Sequence, residues 1–445
     1  MRKWDVVLLA ALGLFTSAPA FAETISGRVL GAGAPIAGSA VTLWAAGAGT
    51  PAQLAQSQTD ADGRFTLSAD AKGADLYVTA RGGRAAVDKT SGDNSAIALL
   101  SVIGTTPPDK VVVNEMTTIA SVWTHNQFLD ETAVRGPALS LKIAAGNVPN
   151  FVDLSTGGWG EAILGPLNSG QTPTMANFAT LADALAGCVT RVADDACAKL
   201  FVAATPPKGA VPTDTLAAAE AIARYPWYLP RRVFALLDEF YPAPPGKTMR
   251  AAPFMPYLNF APSAWVLPLR FDGGGYRAGG KAMFDSEGNL WVGDNFTVGW
   301  QAQDALWQGN ATKFAPNGKP LSPSPTGFAG GGMQGGTFGA AVDANDDAWL
   351  TNYGSKSITV FDKTGKPLTP PDASPSAAGS GSCRGSSSPR AATSGPSACR
   401  RTSSSISPRA ITRKASSFAR EKTPSRANPS CCPFISASIK RTASG

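Results

Sequence analysis

The chain has 445 residues, 43% of them hydrophobic, with 47 Gly and 35 Pro, which gives room for two to four domains rich in turns and short strands. Its formal charge of +7 is unevenly placed: residues 374–445 hold 12 Lys/Arg and one acid, Glu421, while residues 1–373 hold 27 Lys/Arg against 31 Asp/Glu. A mildly acidic body excludes a basic nucleic-acid-binding surface as the source of the overall charge, and no nucleic acid is expected as a partner.

The N-terminus runs MRKWD, then the ten apolar residues VVLLAALGLF, then a small-residue site ending Ala20-Phe21-Ala22. A charged start, a short apolar core and such a site predict a signal peptide over residues 1–22, cut after Ala22. Ten apolar residues are too few to cross a bilayer, which needs about 20. No later segment is long and apolar enough to span, so a periplasmic or secreted protein is expected.

Residues 23–90 alternate polar and apolar in short runs (ISGRVL, SAVTLWAAG, GRFTLSA, DLYVTARGG) separated by turn clusters. That period predicts a small β-sandwich, followed by a linker or strand over residues 91–110. The order Gly27-Arg28-Val29, then Pro35-Ile36-Ala37-Gly38, then Thr59-Asp60-Ala61-Asp62-Gly63-Arg64-Phe65 resembles the carboxypeptidase regulatory-like (transthyretin-like) domain. The resemblance implies an accessory or adhesive module and brings no catalytic residue. Asp60 and Asp62 are either calcium ligands or the tip of a tight turn with Gly63, and the turn is the expected reading.

Residues 111–245 place apolar side chains at helical spacing between prolines, which predicts a helical module. Cys188 and Cys197 flank VTRVADDA there, and eight intervening residues suit a helical corner that export would close with a disulfide.

Residues 264–373 repeat. GGGYRAGGKAMFDSEGNLWVGDN is followed by GGGMQGGTFGAAVDANDDAWLTN, and each unit continues into an aromatic strand and turn, KFAPNGKPLSP and VFDKTGKPLTP. Each unit reads as one four-stranded propeller blade. The pattern resembles NHL repeats of exported propellers and is similar to the virginiamycin B lyase-like group. That resemblance implies a His- and metal-dependent site on the propeller face. The two visible blades contain no His, so no residue here inherits that activity. Two blades are fewer than the four to eight of a closed propeller.

Residues 374–445 contain 20 Ser and no Leu, Val, Trp, Tyr, Met or Asp, a composition expected to be disordered. The change falls where a third triple-glycine unit is due. CRGSSSPRAATSGP from Cys383 back-translates, with chosen synonymous bases, into a sequence whose neighbouring frame spells MQGVIVSPRGDVWA, a blade-like string. The tail is therefore read as out of frame, and Cys383, Cys399, Cys431 and Cys432 carry neither a zinc spacing nor a disulfide framework.

Little chemistry is legible. His125 is the sole histidine and is expected to be structural, and no nucleophile elbow or HExxH motif occurs. The weak binding candidates are Asp294 and Asn352, which end equivalent strands, and Trp300 and Trp307, in an insertion confined to the first blade. Trp291 and Trp349 are read as blade core. The fold class expected is multidomain and mainly β with a helical middle: a small β-sandwich, a helical module, a partial propeller of about two blades and a disordered tail. No cofactor is expected, calcium being the alternative. The function expected is non-catalytic binding of a glycan, small ligand or envelope protein. The alternative is a lyase or hydrolase whose site lay in missing blades.

Overall fold

A computed structural model describes residues 23–70, 73–88, 90–295 and 309–371. Residues 1–22, expected to be a signal peptide, lie outside the described residues, as do Trp300, Trp307 and the tail from residue 374.

Nine strands come first: β1 (Glu23–Gly31), β2 (Ala34–Ala37), β3 (Ala40–Ala46), β4 (Ala52–Gln58), β5 (Arg64–Ala69), β6 (Asp75–Arg81), β7 (Arg84–Ala85), β8 (Ala98–Gly104) and β9 (Lys110–Val113). Then follow α1 (Glu115–His125), the small hairpin β10 (Leu129–Asp130) and β11 (Ala133–Val134), α2 (Ala138–Phe151), α3 (Glu161–Leu164), α4 (Pro166–Ser169), α5 (Thr174–Val189), α6 (Ala196–Ala204), α7 (Thr215–Arg224) and α8 (Pro230–Phe240). The last six strands are β12 (Gly279–Phe284), β13 (Leu290–Asp294), β14 (Asn310–Phe314), β15 (Thr337–Val342), β16 (Ala348–Asn352) and β17 (Ser357–Phe361). The architecture is mixed α and β, with five small sheets among the described residues, and none of these sheets closes into a barrel.

Two of the sheets belong to the first nine strands. One runs β5-β1-β2-β7 with β9 parallel to β1, and the other runs β4-β3-β6-β8. The turn between β4 and β5 is the one the sequence marks: Asp60 Oδ1 accepts from the N–H groups of Asp62 (2.9 Å) and Arg64 (2.8 Å), and Gly63 turns left-handed at φ 71°. Asp62 pairs with Arg64. Asp60 is thus committed to closing its own turn.

β8 departs from period-2 expectation because all seven of its residues are buried. It is an edge strand, and the helices cover it. Its outward N–H groups, which no further strand receives, find side-chain hydroxyls: Ala98 N–H donates to Thr215 Oγ1 (3.0 Å), Leu100 N–H to Thr118 Oγ1 (3.0 Å) and Val102 N–H to Ser121 Oγ (2.9 Å). Helices α1 and α7 thus satisfy the edge as a strand would. α1 starts on a reciprocal cap in which Asn114 Oδ1 accepts from Thr117 N–H and Thr117 Oγ1 accepts from Asn114 N–H. Replacing Thr118 by valine keeps the shape and orphans the Leu100 N–H. A loss of about 1–3 kcal/mol in urea denaturation is expected, and a T118V protein as stable as its parent would show that the edge does not need the hydroxyl.

A continuous apolar core links the first two sheets, the helices and the segment that ends at Leu269. α5 packs closely on α8: a Cβ on Gly187 would stand 2.1 Å from the Phe240 ring, so any larger residue there would have to displace it. Cys188, next to it, is bonded to Cys197, and the disulfide pins the α5–α6 corner. The six C-terminal strands form two three-stranded sheets, β12-β13-β14 and β15-β16-β17, with their own small core of Trp291, Ala311, Ala348, Leu350 and Phe361.

Candidate functional site

The repeat recurs in three dimensions, and several of its bonds recur with it. In each unit an aspartate closes the first turn and then takes the indole N–H of the strand tryptophan: Asp285 Oδ2 from Trp291 (3.3 Å), Asp343 Oδ2 from Trp349 (3.1 Å). The two triple glycines adopt the same left-handed path, φ 94°, 60°, 83° for Gly273–275 and 107°, 60°, 74° for Gly330–332. In the first unit the central glycine carbonyl, Gly274 O, accepts from Ser322 Oγ (2.7 Å). In the second, Gly331 O accepts from Thr369 Oγ1 (3.0 Å) and Thr359 Oγ1 (2.9 Å). A short edge segment then bridges each third strand, at Phe314–Pro320 and Phe361–Pro367.

The units meet at the end where Asp294 and Asn352 sit. Thr337, the ladder partner of Asn352, donates its hydroxyl to the carbonyls of Asp294 and Asn310, both at 2.9 Å. Neither candidate side chain reaches solvent. Asp294 is 0% exposed, with Oδ2 accepting from Thr312 Oγ1 (2.7 Å) and Oδ1 from Arg277 N–H (3.1 Å). Burial pushes its carboxyl up to about 6, against the pull of those donors. Asn352 Nδ2 donates to Thr359 Oγ1 (2.8 Å) and Ser357 Oγ (3.1 Å), and its Oδ1 is buried without a partner. The equivalence of Asp294 and Asn352 is therefore structural: each bonds the matching threonine of the third strand.

A buried ion pair went unread in the sequence. Lys313 Nζ lies 3.0 Å from Asp285 Oδ2, donates to Lys363 O at 2.8 Å, and stands 4.8 Å from the centre of the Trp291 ring. Burial raises the Asp285 carboxyl, but bonds from Asn289 and the charge of Lys313 outweigh it, so the group is held below the usual carboxylate range. The one signal was a lysine in mid-strand, at the place Val360 fills in the second unit.

Three further titratable groups, His125, Glu115 and Asp183, are interior. His125 is 1% exposed, with Nδ1 2.9 Å from Thr124 Oγ1 and 3.1 Å from Ser121 O, and burial lowers it to about 4. Glu115 and Asp183 face the core of the helices. Glu115 Oε1 accepts from Ala32 N–H and Asp183 Oδ1 from Phe254 N–H, both at 2.9 Å, while Glu115 Oε2 and Asp183 Oδ2 have no partner. Among the described residues no group of three or more His, Cys, Asp or Glu is placed to hold a metal ion. None of the described helices is long and apolar enough to cross a membrane. The crevice between α6, α7 and Trp265 has room for about one water-sized sphere.

No family model and no curated protein matches the chain. A crystal structure of a 9R-lipoxygenase from Cyanothece aligns with 82% of this chain and 43% of its own length, at 12% identity and a TM-score of 0.16. The chain thus spans less than half of that enzyme, and a likeness at this score carries no argument about fold or activity.

Proposed function

We propose that the protein is exported and acts as a non-catalytic binding protein, its C-terminal units being blades of an NHL-like β-propeller that presents a ligand-binding face to a glycan, a small ligand or an envelope protein. The observation that carries the reading is what the two units share: the Asp–Trp bond, the left-handed triple glycine, the hydroxyl on its central carbonyl, and the stacking of one unit on the next. A repeat that stacks in this way is the building principle of a propeller. The N-terminal strands, on the residues that resemble a carboxypeptidase regulatory-like module, serve as an accessory domain, and the apolar leader directs export.

The test is a titration of the secreted chain with soluble envelope glycans, read by intrinsic Trp fluorescence together with analysis of the recovered glycan. A saturable change with the glycan returned intact is expected. Cleavage of the glycan would instead place the protein among propeller lyases or hydrolases, and no saturable change with any glycan would remove the glycan reading.

A further inference from the structure

Trp291 and Trp349 hold the same place in the repeat, yet Trp291 is 0% exposed and Trp349 is 43% exposed. What buries Trp291 is the following repeat. Phe328, which leads into the second triple glycine, lies with its ring centre 5.6 Å from that of Trp291 and packs on Phe361 at 6.1 Å. Thr337, at the head of β15, closes over Gly293, where an added Cβ would stand 3.0 Å from its own. Lys313 reaches across to Lys363 O. In the second unit Ala348, Leu350 and Phe361 are buried, while Ala341, Trp349, Thr351 and Ile358 on the opposite face are exposed. Val360, the ladder partner of Trp349 on that face, is buried at 7% exposure, but the rest of the face copies one that a repeat covers and is open among the described residues.

We propose that the Trp349 face is the seat of a third blade, written in the chain's own gene one nucleotide out of the visible frame from before Ala377 onward; the inference rests on the blade reading given above. In the alternate frame each codon takes the last base of one visible codon and the first two of the next. A visible serine of the TCN set then leaves NTC, which is Phe, Leu, Ile or Val whatever the free base. With TCN codons, Ser386, Ser387 and Ser388 become three apolar residues at the places of Ala282, Met283 and Phe284, and Ser394 becomes one at the place of Leu290. A tail rich in serine is what an apolar strand looks like one base out of step.

The fold supplies a second check, because four positions of the first unit need glycine-type backbone: Gly273, Gly274 and Gly275, and Gly288 at φ 80°. The alternate codons closing on Ala377, Ala378, Gly379 and Ala392 all admit glycine, and the one closing on Gly395 admits tryptophan. That tryptophan stands 16 residues after the third glycine, as Trp291 stands after Gly275. The codon closing on Ser376 admits phenylalanine, one residue nearer the glycines than Phe328 is to its own.

The experiment has three arms. The gene is sequenced, the chain as it stands and a chain with the frame restored are secreted, and both are oxidised by hydroxyl radicals with Trp349 and Trp291 read by peptide mass. The alternate frame is expected to run open. Trp349 is expected to react in the first chain and to fall to the rate of Trp291 in the second, a loss of about tenfold or more, and I358E in the restored chain is expected to reopen it. Stop codons in the alternate frame, equal Trp349 reactivity in both chains, or exposure of Trp291 in the restored chain would each overturn the proposal. Protection of Trp349 in the present chain with sedimentation as a dimer would assign the face to a second copy instead. No ligand enters this test, so its outcome is independent of the glycan titration.

Discussion

Replacing Lys313 by methionine is expected to destabilise the paired repeat units by about 3–5 kcal/mol, the usual consequence of stripping one partner from a buried ion pair. The side chains of Lys313 and Asp285 are 8% and 2% exposed, so solvent does not make good the loss. Asp285 would keep its bonds from Glu287, Asn289 and Trp291, but as an uncompensated buried charge. The bond to Lys363 O and the contact with the Trp291 ring would go too, loosening the tie between the units. K313M combined with D285N removes the stranded charge and is expected to recover most of the loss, since a well-packed apolar replacement of a whole pair is often neutral. Denaturation followed by Trp fluorescence, run as a double-mutant cycle, measures this. A loss under 1 kcal/mol in K313M, or no recovery in the double variant, would show the pair to be solvated.

Stability is expected to fall as pH rises from about 6.5 to 8.5, and Asp183→Asn to remove most of that fall. Burial raises the Asp183 carboxyl to about 8, helped by the nearby Glu115 charge, and raises Glu115 to about 7. A carboxyl whose folded pKa exceeds its unfolded value holds, in the folded state, a proton that the unfolded chain has already released. Its contribution is therefore lost as pH climbs toward the folded pKa and is flat above it. His125 works in the opposite sense but only below its unfolded value of 6.5, because folding holds it neutral down to about 4. The window above pH 6.5 belongs to the carboxyls, with Glu220, also raised to about 7 by burial in spite of Arg224, adding to the slope. For Asp183 the fall is on the order of 2 kcal/mol, at 1.36 kcal/mol per pKa unit. Asparagine keeps an oxygen for the Phe254 N–H and carries no charge. Urea midpoints at pH 6.5 and 8.5 for parent and D183N decide the matter: parallel slopes would mean that Asp183 is not the group responsible.

Much of the local structure could be read from the chain, because its causes are local. Asp60 to Gly63 makes its turn with bonds that span four residues, and the repeat signals itself through glycines whose backbone no other residue adopts comfortably. Helical spacing marks α1, α5, α7 and α8, and two cysteines nine apart sit at a corner that brings them together. What resisted reading was side-chain environment. The hydroxyls of Thr118 and Ser121 look like the polar face of a helix and are instead the missing partners of a sheet edge. Asp294 looks like a loop carboxylate and is sealed inside its repeat unit.

The sequence by itself determined the order of strands, helices and repeated units, and which positions must turn, since backbone sterics and short-range periodicity act within a few residues. Only the tertiary structure decided which of two equivalent tryptophans is covered, which edge is closed by hydroxyls, and which carboxyls are deprived of water. Burial and desolvation depend on what packs against a residue from elsewhere in the chain. Trp291 and Trp349 share one place in the repeat and one local bond, and they differ because a repeat follows the first and, among the described residues, none follows the second.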